Sequence, residues 1–236
     1  MPIRVRRAAG DADIAHFRRM AEEFVCWLRD SLGVDLEYQG FQREMERLPE
    51  PYGEPRGFIL IAEDTATDGA GAEVAGVVAL KPLFDAVDTG SARVCEMKRM
   101  YVRPAFRGRG VGRMLVHACV EGARAGGLYD LMVLDTIERL AGANRLYSSS
   151  GFTSRGPYYP LTDDIPAGYV SSPTPIMRGL PAHGRWHAPG SRRRGDSRSL
   201  PHRFSPQRPL VRDAARGSFG CRRVSGARPR AAPAPD

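Results

Sequence analysis

The sequence predicts an α/β (α+β) fold in which a mixed β-sheet carries helices on both faces. Short apolar or alternating stretches, typical of strands, are separated by longer segments whose apolar residues recur every three to four positions, as in helices. One glycine-rich stretch, residues 107–112, joins a predicted strand directly to a predicted helix. With 236 residues, the chain is long enough to bury one well-packed core and to leave a segment over.

The first half of the chain contains three predicted strands and two predicted helices. In chain order they are strand Ile3–Ala8, a helix capped by Asp11 or Asp13 and ended by Gly33, a shorter helix Gln39–Leu48, and strands Gly57–Asp64 and Glu73–Leu83. An aspartate caps a helix by accepting a backbone N–H, and a glycine ends one in a left-handed conformation. Residues 68–71 predict a hairpin-type connection between the two later strands.

The second half continues the alternation of strands and helices. Its predicted elements are the central strand Ser91–Arg103, a helix that begins near Val111, strand Leu128–Thr136, helix Ile137–Ser150 and strand Phe152–Tyr159. Pro104 ends the central strand, because a proline nitrogen has no hydrogen to donate to the ladder. Pro173 and Pro175 interrupt the next apolar stretch, Tyr169–Leu180, so that stretch is predicted to be an edge strand or no strand.

Charge separates a predicted domain, residues 1–180, from a tail, residues 181–236. The tail holds 13 Arg, no Lys and 3 Asp, which leaves 22 basic and 24 acidic residues in the domain. The chain's net charge of +8 therefore comes from the tail, and it does not indicate that the domain binds nucleic acid. Rich in Arg, Pro and Gly, the tail is predicted to be disordered, and nucleic acid is a predicted partner only through it.

Other features favour a soluble, cytoplasmic protein without a metal. The N-terminus lacks the apolar core of a signal peptide, and no apolar run reaches membrane-spanning length. Three of the four cysteines occupy apolar positions of predicted elements, which is typical of buried thiols in a reducing compartment. His183 and His187 lie four residues apart in the tail without a third ligand, so we expect no metal site.

The glycine-rich turn before a helix predicts an anion site, because unpaired amides and the helix dipole both favour negative charge there. It is not a dinucleotide fingerprint, since Arg113 stands where the third glycine belongs, and it has no P-loop lysine. The pattern Arg107-x-x-Gly110-x-Gly112 resembles the acetyl-CoA loop of the GNAT superfamily of N-acyltransferases. The order of elements is also similar to the GNAT fold, a mixed and mostly antiparallel sheet, over roughly residues 3–160 and most strongly over 57–160.

This resemblance implies an acyltransferase that moves an acetyl group from acetyl-CoA to a primary amine of a small molecule or peptide. At pH 7 only about one lysine-like amine in a few thousand is neutral, so the reaction calls for a base and then for an acid that protonates the departing thiolate. The resemblance suggests Glu96 as the base and Tyr147 as the acid. The alternatives are an ordinary pair of Glu96 with Lys98 on the strand, and a core tyrosine.

The resemblance also implies which residues would hold the cofactor and the acceptor. The cofactor set comprises the backbone of Met100, Tyr101 and Val102, the loop Arg107, Gly108, Arg109, Gly110, Val111 and Gly112, and also Arg113 and Asn144. The acceptor set comprises Lys98, Arg99, Tyr158 and Tyr159, a basic and aromatic group that would suit an amine bearing a carboxylate. A homodimer is compatible with the sequence. The rival interpretation is a non-enzymatic nucleic-acid-binding protein that works through its basic tail.

Overall fold

The computed structural model describes residues 3–36, 40–65, 72–84, 92–154, 158 and 169–175. Within them the strands are β1 (Ile3–Arg7), β2 (Phe58–Asp64), β3 (Glu73–Leu83), β4 (Val94–Val102), β5 (Leu131–Ile137) and β6 (Tyr169–Pro175). The α-helices of the same residues are α1 (Gly10–Leu32), α2 (Phe41–Glu46), α3 (Val111–Gly126) and α4 (Ala141–Ser149). The predicted order of strands and helices is confirmed.

The six strands form one sheet in the order β1-β2-β3-β4-β5-β6. All neighbouring pairs are antiparallel except β4 and β5, which are parallel because α3 connects them and carries the chain back along the sheet. One core lies between the sheet and α3, and the other lies between the sheet and α1 with α2. The sheet is therefore mixed and mostly antiparallel, with helices on both faces, as predicted.

The end of the sheet agrees with the sequence prediction only in part. Residues 152–154, which begin the predicted strand Phe152–Tyr159, are irregular, and so is Tyr158. The sixth strand is Tyr169–Pro175, which pairs with β5 at the edge of the sheet, so the edge-strand alternative for Tyr169–Leu180 is the correct one. An edge position tolerates its prolines, since a nitrogen without a hydrogen can face away from the ladder. The predicted hairpin connection at 68–71, Tyr159 and the tail 181–236 lie outside the described residues.

The start of α1 also differs from the prediction in detail. The capping position is Ala9, and neither aspartate occupies it. Asp13 lies one turn into the helix, where its carboxylate accepts the N–H of Ala9 at 2.7 Å and pairs with Arg6 on β1. Gly33 ends the helix at φ +66°, as predicted. Asp13 thus ties the first strand to the first helix.

Free buried thiols were expected at three cysteines, and the structure has them at two; Cys26 is disulfide-bonded. Cys95 and Cys119 are free, and both are buried in the core beneath α3. Among the described helices, none is both long and apolar enough to cross a membrane.

A bulge in β4 shapes the centre of the sheet. Val77 lies opposite Tyr101 and Ala79 lies opposite Lys98, so β4 contains one residue more than β3 between these pairs. Arg99, at φ +54°, takes up the extra length in a left-handed conformation that few non-glycine residues adopt. Pairing between β4 and β5 ends at Glu96 and Val133, although both strands continue beyond. The two strands therefore separate and leave a gap in the middle of the sheet.

Candidate active site

The gap between β4 and β5 is the floor of a cavity of about 870 Å³. Residues of α1, β4, the 107–113 turn, β5 and the start of α4 line it. The cavity touches both faces of the sheet: Met97 and Leu134 belong to the core under α3, whereas Tyr101 and Ile137 belong to the core under α1. Two molecules that enter from opposite faces could therefore meet inside it.

One end of the cavity is the turn that leads into α3. Gly108 at φ +77° and Gly110 at φ +82° adopt left-handed conformations, and a Cβ at either would meet no atom within 4 Å. The amides of Val111, Gly112 and Arg113 form the first turn of α3, and no acceptor for them lies among the described residues. Open space, unpaired amides and the positive end of a helix dipole together make a cradle for an anion.

The arginines of the turn differ in direction. Arg109 turns away from the cavity to Asp64, whose carboxylate lies 2.9 Å from its Nη2 atom. Arg107 lies over the ring of Trp27, with its Cζ atom 4.7 Å from the ring centre, and its Nε donates to the carbonyl of Val102 at 3.0 Å. Arg113 lines the cavity and is exposed. The anion cradle thus consists mainly of backbone groups.

The end of β4 presents to the gap backbone groups that are not paired with β5. The N–H of Arg103 donates to the carbonyl of Ala75 on β3 at 3.0 Å. Because successive peptide groups point to opposite sides of a strand, the polar groups of Val102 point into the gap, where its carbonyl accepts the bond from Arg107. Met100 and Tyr101 line the same wall. An extended ligand in the gap could therefore pair with β4 as an additional strand does.

Tyr147 stands on α4 at the wall of the cavity. Its side chain is 9% exposed, and its ring meets Phe152 edge-on at 5.9 Å between ring centres. Burial raises the pKa of its phenol well above the usual value, and the nearby charge of Asp135 adds to the effect. No residue that the structure describes accepts a hydrogen bond from its hydroxyl. The phenol is therefore protonated at neutral pH and can donate a proton into the cavity.

Sequence and structure comparisons bear on these features. A model of the acetyltransferase (GNAT) family matches residues 20–152, more than half of the chain. The chain belongs to the GNAT acetyltransferase family. It is therefore an acyltransferase.

A curated relative agrees with the family assignment, and solved structures agree with the fold. An uncharacterised N-acetyltransferase of Schizosaccharomyces pombe is 35% identical over 147 residues, which make up 62% of this chain and 80% of that protein. A GNAT-family acetyltransferase of Staphylococcus aureus matches in fold with a TM-score of 0.54 at 17% identity, over 75% of this chain and 100% of that one. The Salmonella typhimurium protein yncA, whose structure contains its cofactor acetyl-CoA, matches with a TM-score of 0.50 at 18% identity, over 77% and 98%.

Glu96, the predicted base of this GNAT protein, is fully buried and does not line the cavity. Its Oε1 atom accepts the Tyr158 hydroxyl at 2.9 Å and lies 3.2 Å from Lys98 Nζ, and its Oε2 atom lies 3.2 Å from Lys81 Nζ. Lys98 does line the cavity and lies 3.7 Å from the carboxylate of Asp135 across the gap. Among the described residues, Lys98 is the side chain that connects Glu96 to the cavity.

Arg99, predicted to contact the acceptor, is held by α2. Its Nε and Nη2 atoms donate to the two carboxylate oxygens of Glu44, each at 2.8 Å, and its guanidinium lies over Phe41 at 5.2 Å. Burial would raise the pKa of Glu44, but the hydrogen bonds and charge of Arg99 hold it below the usual value, with help from the Tyr52 hydroxyl. Both predicted cations of the acceptor wall, Lys98 and Arg99, are thus paired with carboxylates.

Two further predicted residues do not face the cavity. Asn144 clamps the end of β5 to α4: Thr136 donates to its side-chain oxygen at 2.9 Å, and its amide donates to the carbonyls of Ile137 and Glu138 at 3.0 and 3.2 Å. Tyr158 is fully buried, and its hydroxyl serves Glu96. Their geometry favours structural roles rather than contacts with cofactor or acceptor.

Sequence reasoning missed several residues that line the cavity. Asp135 lies on β5, two positions beyond Val133, which is the last residue of β5 that pairs with β4. Its side chain therefore lies at the gap between these strands. Phe24 and Trp27 of α1 form part of the opposite wall. A signal for Asp135 existed, because an acidic residue inside an apolar strand is unusual. Nothing comparable marks Phe24 and Trp27, which resemble ordinary core positions of an amphipathic helix. Among the described residues, no cluster of His, Cys, Asp or Glu side chains is arranged to hold a metal ion.

Proposed function

We propose that this chain transfers an acetyl group from acetyl-CoA to a primary amine. The observation that carries the proposal is the gap between β4 and β5, which opens to both faces of the sheet and ends at the unpaired amides of α3. A cofactor with a diphosphate and an extended, amide-containing arm fits such a gap. The nucleic-acid alternative depends on residues 181–236, which lie outside the described residues, and membership of the GNAT family gives it no support.

The cradle and strand edge would hold the cofactor. The amides of Val111, Gly112 and Arg113 suit the diphosphate, with Gly108 and Gly110 leaving room for its approach. The backbone of Val102 suits the amides of the pantetheine arm, once the side chain of Arg107 leaves its carbonyl. Bound acetyl-CoA supplies an activated thioester carbonyl. Its thioester end would then lie near the wall that holds Asp135 and Tyr147.

The amine must lose a proton to become a nucleophile, and we assign that proton to Asp135. Asp135 is the carboxylate that lines the cavity among the described residues, whereas Glu96 is shielded from it. Glu96 then acts as a positioning residue: it holds Lys98, and Lys98 in turn holds the Asp135 carboxylate at 3.7 Å. A carboxylate in this place can attract an ammonium ion and accept its proton, which frees the nitrogen lone pair for the attack.

Tyr147 is the group that we assign to the leaving thiolate. Burial keeps the phenol protonated, and Tyr147 lines the same cavity as Asp135. Proton removal from the amine and proton delivery to sulfur would therefore take place on two side chains of neighbouring elements, β5 and α4. Holding both reactants between them supplies the rest of the rate acceleration through proximity.

A thermal-shift panel on the full chain tests the cofactor. Acetyl-CoA at 100 times its dissociation constant stabilises the folded state by about 2.7 kcal/mol, which raises the Tm by several degrees, whereas NAD and ATP at equal concentration do not. Gly112→Val should remove most of the shift. A Cβ at Gly112 meets Leu146 at 3.1 Å and Met100 at 3.5 Å, both flexible side-chain ends, and the branched side chain then fills the cradle.

Gly126→Val is the matched control, because Gly126 ends the same helix and a Cβ there meets nothing within 4 Å. It should keep the full acetyl-CoA shift, and release of free thiol from acetyl-CoA in the presence of an amine should confirm turnover. An equal shift with acetyl-CoA and ATP, or a Gly112→Val protein that binds acetyl-CoA normally, contradicts the proposal.

A further inference from the structure

The cavity opens at both faces of the sheet, and the proposed cofactor takes one of them. The other face is then the entrance for the acceptor amine. The amides at the start of α3 lie at the face of the sheet that carries α3. In the proposed function these amides bind the diphosphate of acetyl-CoA. An amine must then enter from the face that carries α1 and α2, so that it meets the thioester across the gap. The side chains that line this second entrance decide which amines fit.

This entrance is largely aromatic and aliphatic. Phe24 packs 5.5 Å from Tyr101 and 6.4 Å from Trp27 between ring centres, and it is nearly parallel to Trp27, with 17° between the ring planes. Phe24 and Trp27 are only half-buried, so part of each ring surface faces the cavity. The remaining apolar members of this aromatic wall are Leu28, Leu36, Ile137 and Leu140.

The two cations at this entrance, Lys98 and Arg99, already have carboxylate partners within the protein. Arg99 is paired with Glu44 through two hydrogen bonds, and Lys98 lies between Glu96 and Asp135. Neither cation is free to hold the carboxylate of an amino acid without breaking a buried ion pair, a change that costs several kcal/mol. Of the carboxylates in the described residues, Asp135 lines the cavity. Its contact with Lys98 is 3.7 Å long and Lys98 lies closer to Glu96, at 3.2 Å, so one ammonium group could take the place of Lys98 at Asp135 while Lys98 keeps a carboxylate partner.

A second ammonium group would be unfavourable. Arg107 lies over Trp27 at the boundary between the two entrances, 5.8 Å from the ring centre of Tyr101. A polyamine that placed one nitrogen at Asp135 would bring further positive charge toward this guanidinium and against apolar rings. Burying a charge without a partner there is unfavourable.

We infer that the acceptor is a primary amine with a single positive charge, carried on an aromatic or bulky apolar group. This inference rests on the proposed function and adds the class of acceptor to it. The ring or chain packs against the aromatic wall, and the ammonium group lies at Asp135. In the transfer, one ammonium proton first passes to Asp135, and the freed nitrogen forms a bond to the acetyl carbon. The carbon–sulfur bond of acetyl-CoA breaks and the departing thiolate takes the proton of Tyr147. The second proton lost by the nitrogen restores the Tyr147 phenol, and Asp135 releases its proton to solvent, which leaves a neutral amide and free thiol.

A panel of four amines with the full chain tests the inference. The probes are 2-phenylethylamine, phenylalanine, spermidine and propylamine, each with acetyl-CoA, and free thiol is measured over time. Because phenylalanine differs from 2-phenylethylamine only by a carboxylate, this pair isolates the effect of that charge. We expect kcat/KM for 2-phenylethylamine to exceed each of the others at least tenfold. Burying a phenyl group is worth more than about 1.4 kcal/mol relative to propylamine and spermidine, and the carboxylate of phenylalanine would have to break a buried ion pair to find a cation.

Phe24→Ala separates the aromatic wall from the rest of the site. It should lower kcat/KM for 2-phenylethylamine at least tenfold and leave propylamine within about twofold, with the acetyl-CoA thermal shift unchanged. Phe84→Ala is the matched control, because Phe84 is 73% exposed and lies outside the cavity. It should change neither amine.

The outcomes distinguish the two proposals. Absent or lower turnover of 2-phenylethylamine than of another amine, with a normal acetyl-CoA shift, overturns the inference about the acceptor and leaves the cofactor assignment standing. Equal loss for 2-phenylethylamine and propylamine in Phe24→Ala also overturns it. If acetyl-CoA itself produces no shift, the proposed function fails and this inference fails with it.

Discussion

Replacing Tyr147 by phenylalanine tests the proposed acid with little disturbance of the fold. The change removes one oxygen atom whose hydrogen no described residue accepts, and it leaves the ring and its 5.9 Å contact with Phe152 in place. We therefore expect the free energy of unfolding to change by less than about 1 kcal/mol. Acetyl-CoA binding should also be unchanged, because the proposed cradle lies at α3.

The expected loss of rate follows from the pKa of the phenol. A positioned acid contributes about 10²–10⁴-fold to a rate. Burial raises the pKa of Tyr147 above its ordinary value of 10.0, whereas a departing thiolate has a pKa of about 8.5, so full proton transfer from phenol to sulfur is uphill. The contribution should therefore lie at the lower end of that range. We expect kcat to fall about 10²-fold, which corresponds to about 2.7 kcal/mol of transition-state stabilisation.

Steady-state thiol release with a saturating amine measures kcat, and thermal unfolding with and without acetyl-CoA measures stability and binding. Tyr129→Phe is the matched control: Tyr129 is also buried, but its hydroxyl donates to the carbonyl of Arg56, away from the cavity. This control should lose about 1 kcal/mol of stability and keep its kcat. A Tyr147→Phe protein that keeps kcat within about threefold of the wild type would refute the reasoning.

Three further predictions concern ionised side chains. Asp135→Asn should lower kcat about 10²–10³-fold with acetyl-CoA binding unchanged, whereas Glu96→Gln should mainly lower stability and reduce kcat less. Glu44→Ala leaves the buried Arg99 guanidinium without its carboxylate and should lower the free energy of unfolding by about 3–5 kcal/mol in urea titrations. The hydrogen bond from Arg6 lowers the pKa of Asp13 to about 2 from 3.8, so Asp13→Asn should cost about 1–2 kcal/mol above pH 5, and the difference should disappear as the pH falls through about 2.

Each of these predictions has an outcome that contradicts it. A larger loss of kcat in Glu96→Gln than in Asp135→Asn would return the role of base to Glu96. Glu46→Ala, an exposed position on the same helix as Glu44, should cost less than about 0.5 kcal/mol, and an equal loss at both would argue against the Arg99 pair. A stability difference for Asp13→Asn that does not change between pH 7 and pH 2 would exclude the Arg6 linkage.

Strand and helix positions were largely predictable because their patterns are local. β3 matches its predicted bounds, Glu73–Leu83, and β2 begins one residue later than predicted, since both strands are continuous apolar runs. For Tyr169–Leu180 the sequence left two alternatives, an edge strand or no strand, because its prolines argue against a central strand. Only the neighbouring β5 shows that an edge is available for pairing. The bulge at Arg99 carries no sequence signal, since an arginine at positive φ is uncommon and is held there by its bond to Glu44, 55 residues away.

In the candidate site, too, some features could be predicted from local sequence and others depend on the tertiary structure. The anion cradle could be anticipated because six consecutive residues form it, and their spacing alone sets the turn and the start of α3. The proposed base, Asp135, could not be anticipated. Strand alternation places Glu96 and Lys98 on one face of β4, but it does not indicate that this face is covered so deeply that Glu96 is buried. Asp135 reaches the gap only through the parallel register that pairs Glu96 with Val133 and then stops.

By itself, the sequence determined the order of the elements and the anion-binding turn, because local backbone preferences and the period of apolar residues act over a few positions. The tertiary structure decided which charged groups face the cavity, how the two cations of the acceptor wall are neutralised and which rings form that wall. These properties depend on contacts between residues tens of positions apart. Burial and charge pairing are properties of the packed sheet and helices, so the proposals for the proton acceptor and for the class of acceptor amine depend on the tertiary structure.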